Sequence, residues 1–355
     1  MAGLVTRVAR ASVGAVKDAR SVLAAGGLVA FPTETVYGLG ADATSDKAVA
    51  KLYAVKDRPS FNPLIAHVAD LAAAARLAVF NDAALALARA LWPGPLTLVL
   101  PKAAHCPVGL LATAGLDTIA VRVPSHPVAQ QILAAFGKPV AAPSANRSGM
   151  VSPTTAQHVL HDLGDRIELL INDGPAPLGI ESTIIACLDG AVLLRPGAID
   201  RAAIEKILGA PMATAARARG RAGKARPAPG AAAPLAPGML ASHYAPHTPL
   251  RINAERVAPG EALLAFGPDL PPSAEKAAAM LNLSARGDLV EAAANLFSHL
   301  RNLDGRGAQA IAVVPIPERG IGEAINDRLR HAAAPRDAAP GPTGAGRGNT
   351  PPHGE

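Results

Sequence analysis

The sequence predicts an α/β protein: a large open sheet with flanking helices, followed beyond a linker by a second, smaller α/β unit. Three observations lead there. Short apolar runs rich in β-formers, such as Leu28–Phe31, Leu96–Leu100 and Thr118–Val123, alternate with Ala-rich segments of helical periodicity. Polar side chains gather just beyond several of those runs, where open α/β sheets present small-molecule sites. From about 211 to 236 the chain is Ala, Pro, Gly and Arg with almost no large apolar residue, a composition that builds no core and reads as a linker.

Val16, Ala19, Val22 and Leu23 share one face of a helix over 12–25, which Gly26-Gly27 ends before the strand Leu28–Phe31. A helix follows at Ser45–Ala54, a strand at Pro63–Val68, and helices at Asp70–Leu77 and Asn81–Leu91. Trp92-Pro93-Gly94-Pro95 is a stiff turn into the strand Leu96–Leu100. Then come the strand Thr118–Val123, the helix Pro127–Phe136 and the short strand Val140–Ala142. Pro143-Ser144-Ala145-Asn146-Arg147-Ser148-Gly149 is a loop, since Pro and Gly bound a cluster of small polar residues. Helix Thr155–Leu163, strands Leu169–Asn172, Ser182–Cys187 and Ala191–Leu194, and helix Arg201–Leu208 complete a first domain over 10–210. The linker with its following segment takes 211–249. The second unit, 250–334, has strands at Ala262–Phe266 and Ala310–Val314 and helices at Ala274–Met280, Leu289–Leu303 and Ile321–Ala333; the Pro/Gly/Ala-rich residues 335–355 read as a disordered tail.

The 355 residues suit two domains, and 50% apolar with 3% aromatic residues suits Ala-rich helix packing. The net charge of +6 is concentrated: Arg217, Arg219, Arg221, Lys224 and Arg226 lie in a stretch without acids, while the rest of the chain is near balance. That is weak support for nucleic-acid binding. No run resembles a membrane span or a secretory signal, so a cytoplasmic protein without membrane attachment is expected. Cys106 and Cys187 lack metal-ligand spacing and read as buried thiols.

The most informative stretch is Gly26–Gly40, where a strand runs into Thr33-Glu34-Thr35. Lys56-Asp57-Arg58-Pro59, Asn62 and His67 follow, and Arg122, Ser144, Asn146, Ser182 and Arg195 lie at later strand ends or loops. Cations and hydroxyls outnumber acids, which favours an anionic ligand combining phosphate and carboxylate. Each group also has a plainer reading: Lys56 and Arg58 as a solvated turn, Arg122 as half of a buried pair, His67 as a satisfied core histidine, Glu34 as a structural carboxylate. Dinucleotide and Walker loops, a nucleophile elbow and a paired-histidine zinc motif are all missing. The chemistry expected is therefore positioning and charge stabilisation of reactive substrates.

Taken in order, these motifs resemble the YrdC/Sua5 family in its two-domain form. The resemblance rests on Pro32-Thr33-Glu34-Thr35-Val36-Tyr37-Gly38-Leu39, Lys56-Asp57-Arg58-Pro59 with His67, Trp92-Pro93-Gly94-Pro95, Val121-Arg122-Val123-Pro124, Pro143–Gly149, Glu181-Ser182-Thr183 and Arg195-Pro196-Gly197. Pro237–Pro246 and Asn326-Asp327-Arg328-Leu329 extend it into the second half. The resemblance implies a YrdC-like twisted sheet with a smaller Rossmann-like C-terminal domain. It also implies synthesis of threonylcarbamoyl-adenylate and diphosphate from L-threonine, bicarbonate or CO2, and ATP. That product is the donor for tRNA N6-threonylcarbamoyladenosine.

By the same resemblance, Thr35, His67, Arg122, Ser182 and the backbone at Ala142 would hold threonine. Arg58, Asn62, Thr118, Ser144, Ser152 and Arg195 would hold ATP, with Ser242 or Tyr244 reaching the nucleotide from the interdomain segment. Lys56, Arg58 and His67 are the catalytic candidates, Lys56 by strengthening the anion pocket. Magnesium is expected with ATP, without a dedicated protein metal site, and a downstream threonylcarbamoyl-transfer complex is the implied partner. Two rivals remain: an RNA-binding protein, and a carbamoyltransferase akin to the hydrogenase-maturation branch. The first is disfavoured by the scarcity of aromatic platforms, the second by the missing zinc-finger architecture.

Overall fold

The computed structural model describes residues 4–214 and 243–335, which form two α/β units built on separate sheets. The first unit contains strands β1 (Arg7–Arg10), β2 (Val29–Phe31), β3 (Gly38–Asp42), β4 (Ile65–His67), β5 (Leu96–Pro101), β6 (Thr118–Arg122), β7 (Val140–Ala141), β8 (Leu169–Asn172), β9 (Thr183–Cys187), β10 (Ala191–Arg195) and β11 (Ala213–Thr214). Its helices are α1 (Val13–Ala24), α2 (Asp46–Lys56), α3 (Leu71–Ala75), α4 (Asp82–Leu91), α5 (Pro127–Phe136), α6 (Ala156–Leu163) and α7 (Arg201–Leu208). The second contains β12 (Leu250–Arg251), β13 (Glu261–Ala265), β14 (Met280–Asn282), β15 (Ala310–Val313), α8 (Leu289–Asp304) and α9 (Gly322–Ala333).

Local chemistry explains the helix ends. Ser12, Ser45, Asn81, Thr155 and Asp200 each accept a hydrogen bond from the backbone N–H three residues on. At the far end of α2, Asp57 turns left-handed (φ 52°), which stops the helix and sends Arg58 away from its axis. The large sheet runs β1-β8-β2-β3-β7-β4-β6-β5-β9-β10-β11 with parallel and antiparallel pairs mixed. In the smaller sheet, ordered β12-β15-β13-β14, every pair is parallel. Among the described residues no helix is long and apolar enough to cross a membrane.

Sheet register creates the site. Parallel pairing of β4 with β6 sets His67 opposite Arg122, and antiparallel pairing of β5 with β6 sets Arg122 opposite Thr97. The parallel β5–β9 pair places Thr97 opposite Ile184, so Ser182, two residues earlier, lies on the same face within reach of Thr97. Paired residues share a face of the sheet, so groups distant in the chain become neighbours.

The α/β expectation holds, with three differences in the elements. Gly38–Asp42, to which the sequence reading assigns no element, is a strand antiparallel to β2; with Gly at 38 and 40, sequence propensity understates it. Phe31 and Val140 lie against Gly40, where a Cβ would come within 2.8 Å of the Phe31 ring. The expected helix Ala274–Met280 is a 3-10 turn at Ala274–Lys276 followed by β14, because Met280–Asn282 pair with Leu263–Ala265 and tertiary pairing overrides the Ala-rich propensity. Strand β1 lies ahead of the expected start of the first domain and pairs with β8. Cys187 is buried as expected, Cys106 only partly.

The two units share a core. Val36, Val151 and Ile180 of the first unit cluster with Tyr244 and with Leu264, Leu296, Phe297, Ile325 and Leu329 of the second. The second unit thus packs on loops next to Thr35, Ser152 and Ser182.

Candidate active site

Thr35, Arg58, His67, Arg122, Ala142, Ser144, Ser182 and Arg195 line one cavity, walled further by Glu181, His243 and Tyr244. Most of it comes from strand ends: His67 ends β4, Arg122 ends β6, Arg195 ends β10, and Ser182 precedes β9. Thr35 stands in the turn between β2 and β3, and Ala142 and Ser144 follow β7.

At one side Arg122 Nη2 donates to Glu34 Oε1 (2.8 Å) and to Thr35 Oγ1 (2.9 Å), all three groups being buried. Burial by itself would raise the Glu34 carboxyl, but the Arg122 guanidinium outweighs it and holds the group below the usual range. Arg122 Nε and Glu34 Oε2 are buried without a hydrogen-bond partner among the described residues. His67 Nδ1 lies 3.1 Å from the Ile65 carbonyl. Burial, helped by Arg122, pulls this histidine down to about 3, so the ring is neutral at physiological pH.

At the other side Arg58 donates to the carbonyls of Asn62 (3.3 Å) and Pro63 (3.1 Å), and burial lowers it to about 10, which leaves it charged. Arg195 donates to the Ser182 carbonyl (2.9 Å) and to Ser182 Oγ (3.2 Å), while Ser182 Oγ lies 2.8 Å from Thr97 Oγ1. Asn62 is fully buried, yet neither end of its side-chain amide has a partner. Buried polar atoms rarely go unpaired, so Arg122 Nε, on the cavity wall, is a group expected to meet a ligand. Three buried arginines against two carboxylates leave a field suited to anions.

Comparison with known proteins decides the family. Residues 21–197 match a family model covering Sua5, YciO and YrdC proteins, described as telomere recombination, and residues 199–334 match one described as the threonylcarbamoyl-AMP synthase C-terminal domain. The chain is 39% identical over 337 residues to the threonylcarbamoyl-AMP synthase of Bacillus subtilis, covering 90% of this chain and 93% of that one. It belongs to the threonylcarbamoyl-AMP synthase family. Similarity to the Pyrococcus abyssi synthase is 38%, again over 90% of this chain. The fold matches the crystal structure of P. abyssi Sua5 complexed with L-threonine, with a TM-score of 0.79 at 35% identity, over 93% of this chain and 97% of that one.

Against that family background, four expected site residues stay off the cavity wall. Lys56 is buried, but its Nζ donates to the carbonyls of Ser144 and Asn146, each at 2.5 Å. A buried ammonium needs acceptors, and the Pro143–Gly149 loop supplies them. Thr118 begins β6 and Arg122 ends it, a separation of about 13 Å along a strand. Ser152 Oγ donates to Glu181 Oε1 (2.5 Å), one step behind the cavity. Asn62 lies behind Arg58. Ser242 lies outside the described residues, as do the linker at 215–242 and the tail from 336. Tyr244 lies on the cavity wall, with φ 61°.

Sequence reasoning gave no role to His243 or Glu181, both on the wall, or to Arg328 behind them. Each sat inside a recognised motif, so the signal was present. Only the fold reveals which side chains of a motif turn inward.

Proposed function

We propose that this cavity is where L-threonine, bicarbonate or CO2, and ATP are joined into threonylcarbamoyl-adenylate, with diphosphate released. The observation that carries the reading is the convergence of buried Arg58, Arg122 and Arg195 on one cavity beside unpaired donors. The threonine amine adds to CO2 with loss of a proton, or to bicarbonate with loss of water, forming a carbamate whose oxygen attacks the ATP α-phosphorus as the bond to diphosphate breaks. Negative charge accumulates on the phosphoryl oxygens, and fixed guanidinium groups stabilise it without reorganising.

On this reading Arg122 clamps the threonine carboxylate, with Glu34 and Thr35 fixing its fork, and His67, Ser182 and the Ala142 backbone complete that half. Arg58, Ser144 and Arg195 serve ATP, supported by Asn62, Thr118 and Ser152, with Tyr244 reaching the nucleotide. Lys56 acts through the loop that carries Ser144. A neutral His67 is suited to hydrogen bonding; proton removal from the amine at that residue would require the bound substrates to raise its pKa.

The enclosed space is about 50 Å³. Small-molecule pockets measure roughly 300–1,000 Å³, so ATP binds with the His243–Tyr244 segment moved outward, where it covers the substrates and excludes water from a hydrolysable product. Among the described residues no group of His, Cys, Asp and Glu could hold a metal ion. Magnesium, expected with ATP, would take most of its ligands from the phosphates and water. The domain division at 10–210, 211–249 and 250–334, a cytoplasmic location and delivery of the product to a threonylcarbamoyl-transfer complex acting on tRNA belong to the same reading.

The test is incubation of pure protein with ATP, magnesium, bicarbonate and L-threonine, with diphosphate release and the adenylate mass as readouts. Diphosphate release that does not depend on threonine would overturn the assignment.

A further inference from the structure

Arg328 of α9 is the largest fully buried side chain among the described residues, and it reaches out of its own unit. Its Nε donates to Glu181 Oε2 (2.8 Å) across the unit boundary, and its Nη1 donates to Asp327 Oδ2 (2.5 Å). The guanidinium carbon lies 5.0 Å from the centre of the Tyr244 ring, within cation–π range. Nη2 is buried without a hydrogen-bond partner among the described residues. Glu181 uses its other oxygen to accept from Ser152 Oγ, and it is itself part of the cavity wall, directly before Ser182. One buried acid thus joins the second unit to the two serines.

Left uncompensated, a carboxylate at this point of the wall would offset the cations that face an anionic substrate. It would also be expensive to keep charged away from water. Arg328 removes both problems: it neutralises Glu181 and fixes the carboxylate plane, so that Oε1 takes the Ser152 proton. With that proton engaged, Ser152 is fixed behind the wall and Glu181 is held in place beside Ser182 and Arg195, the latter read as an ATP ligand.

We propose that Arg328 is a positioning residue for the nucleotide half of the site, contributed by the second unit through Glu181. The inference rests on the reading that Arg195 and the wall beside Glu181, backed by Ser152, serve ATP. It gives the second unit a specific part in adenylation beyond covering apolar surface.

The experiment measures KM for ATP and for L-threonine, kcat and thermal stability in the full chain, for Arg328→Met, Arg328→Lys, Glu181→Gln, the Glu181→Gln/Arg328→Met pair, and Ser152→Ala. Arg328→Met is expected to raise KM for ATP roughly tenfold or more, with KM for threonine within about twofold. Arg328→Lys, which keeps the charge and loses the fork, should fall between wild type and Arg328→Met. The double variant removes both charges of the Arg328–Glu181 pair, and so avoids the uncompensated buried carboxylate that Arg328→Met leaves at 181. It should lose less ATP affinity than the two single effects added together. A lower melting temperature with both KM values unchanged would overturn the proposal, as would equal losses for the two substrates. If Ser152→Ala weakens ATP while Arg328→Met and the double variant do not, the inference falls and the site reading stands. If Ser152→Ala is also silent, the assignment of this wall to the nucleotide falls with it.

Discussion

Arg122 and Glu34 form a buried ion pair 2.8 Å long, 88 positions apart in the chain, in which each partner keeps one polar atom unused. Glu34 holds one edge of the guanidinium while Arg122 Nε stays unpaired, so the pair both anchors the arginine and reserves a donor. A lowered carboxyl pKa makes Glu34 a weak base and a good anchor.

Arg122→Lys should therefore raise KM for threonine about ten- to a hundredfold while changing KM for ATP little, because an ammonium cannot reproduce the two-pronged contact with a carboxylate. Glu34→Gln should lower stability by about 3 kcal/mol, since it leaves a buried guanidinium without its counter-charge. Steady-state kinetics and denaturant unfolding check the two effects separately.

Arg58→Ala should act on the other substrate. It removes a buried cation anchored on the Asn62 and Pro63 carbonyls. KM for ATP is expected to rise by roughly a hundredfold, with threonine affinity, read by calorimetry, close to wild type. Equal losses for both substrates would refute the division of the cavity into halves.

Stability should fall on acidification. His67 titrates at about 3 in the folded protein and near 6.5 when unfolded, so below pH 6.5 the unfolded chain binds the extra proton. Stability then rises with pH across the window from about 3 to 6.5, by up to about 1.4 kcal/mol per pH unit for this group. Melting temperatures between pH 7.5 and 4.5 measure the slope, and His67→Gln should flatten it.

Gly179→Ala should loosen the union of the two units. Gly179 has φ 63°, and an added Cβ would come within 2.6 Å of the Ala294 Cα on α8. Strain and overpacking together predict a loss of about 2–4 kcal/mol. Limited proteolysis should then release the second unit earlier, and ATP-dependent activity should drop with it.

Much of this was legible in the chain. Periodicity and capping residues such as Ser45 and Thr155 marked helices, and the Trp92–Pro95 turn marked the entry to β5, because these signals act over a few residues. The candidate arginines were legible because a charged residue in an apolar run, as Arg122 is, has few stable fates. The strand Gly38–Asp42 and the strand that replaced the helix at 274–280 were not, since both depend on pairing with distant partners. Lys56, expected in an anion pocket or a solvated turn, is buried instead, and its direction could not be seen in the sequence. Two loop carbonyls 88 and 90 positions away claim its ammonium.

The order of motifs along the chain determined the α/β class, the two-unit plan and the family, because hydrophobic period, turn chemistry and motif order are written residue by residue. Tertiary structure alone decided that β4, β6, β5 and β9 pair in the register that gathers His67, Arg122, Thr97 and Ser182. It alone turned Lys56 away from the cavity and brought Arg328 to Glu181. The reason is the cost of burying charge: each ion takes whatever counter-group the folded chain brings within 3 Å, and sequence distance does not limit that choice.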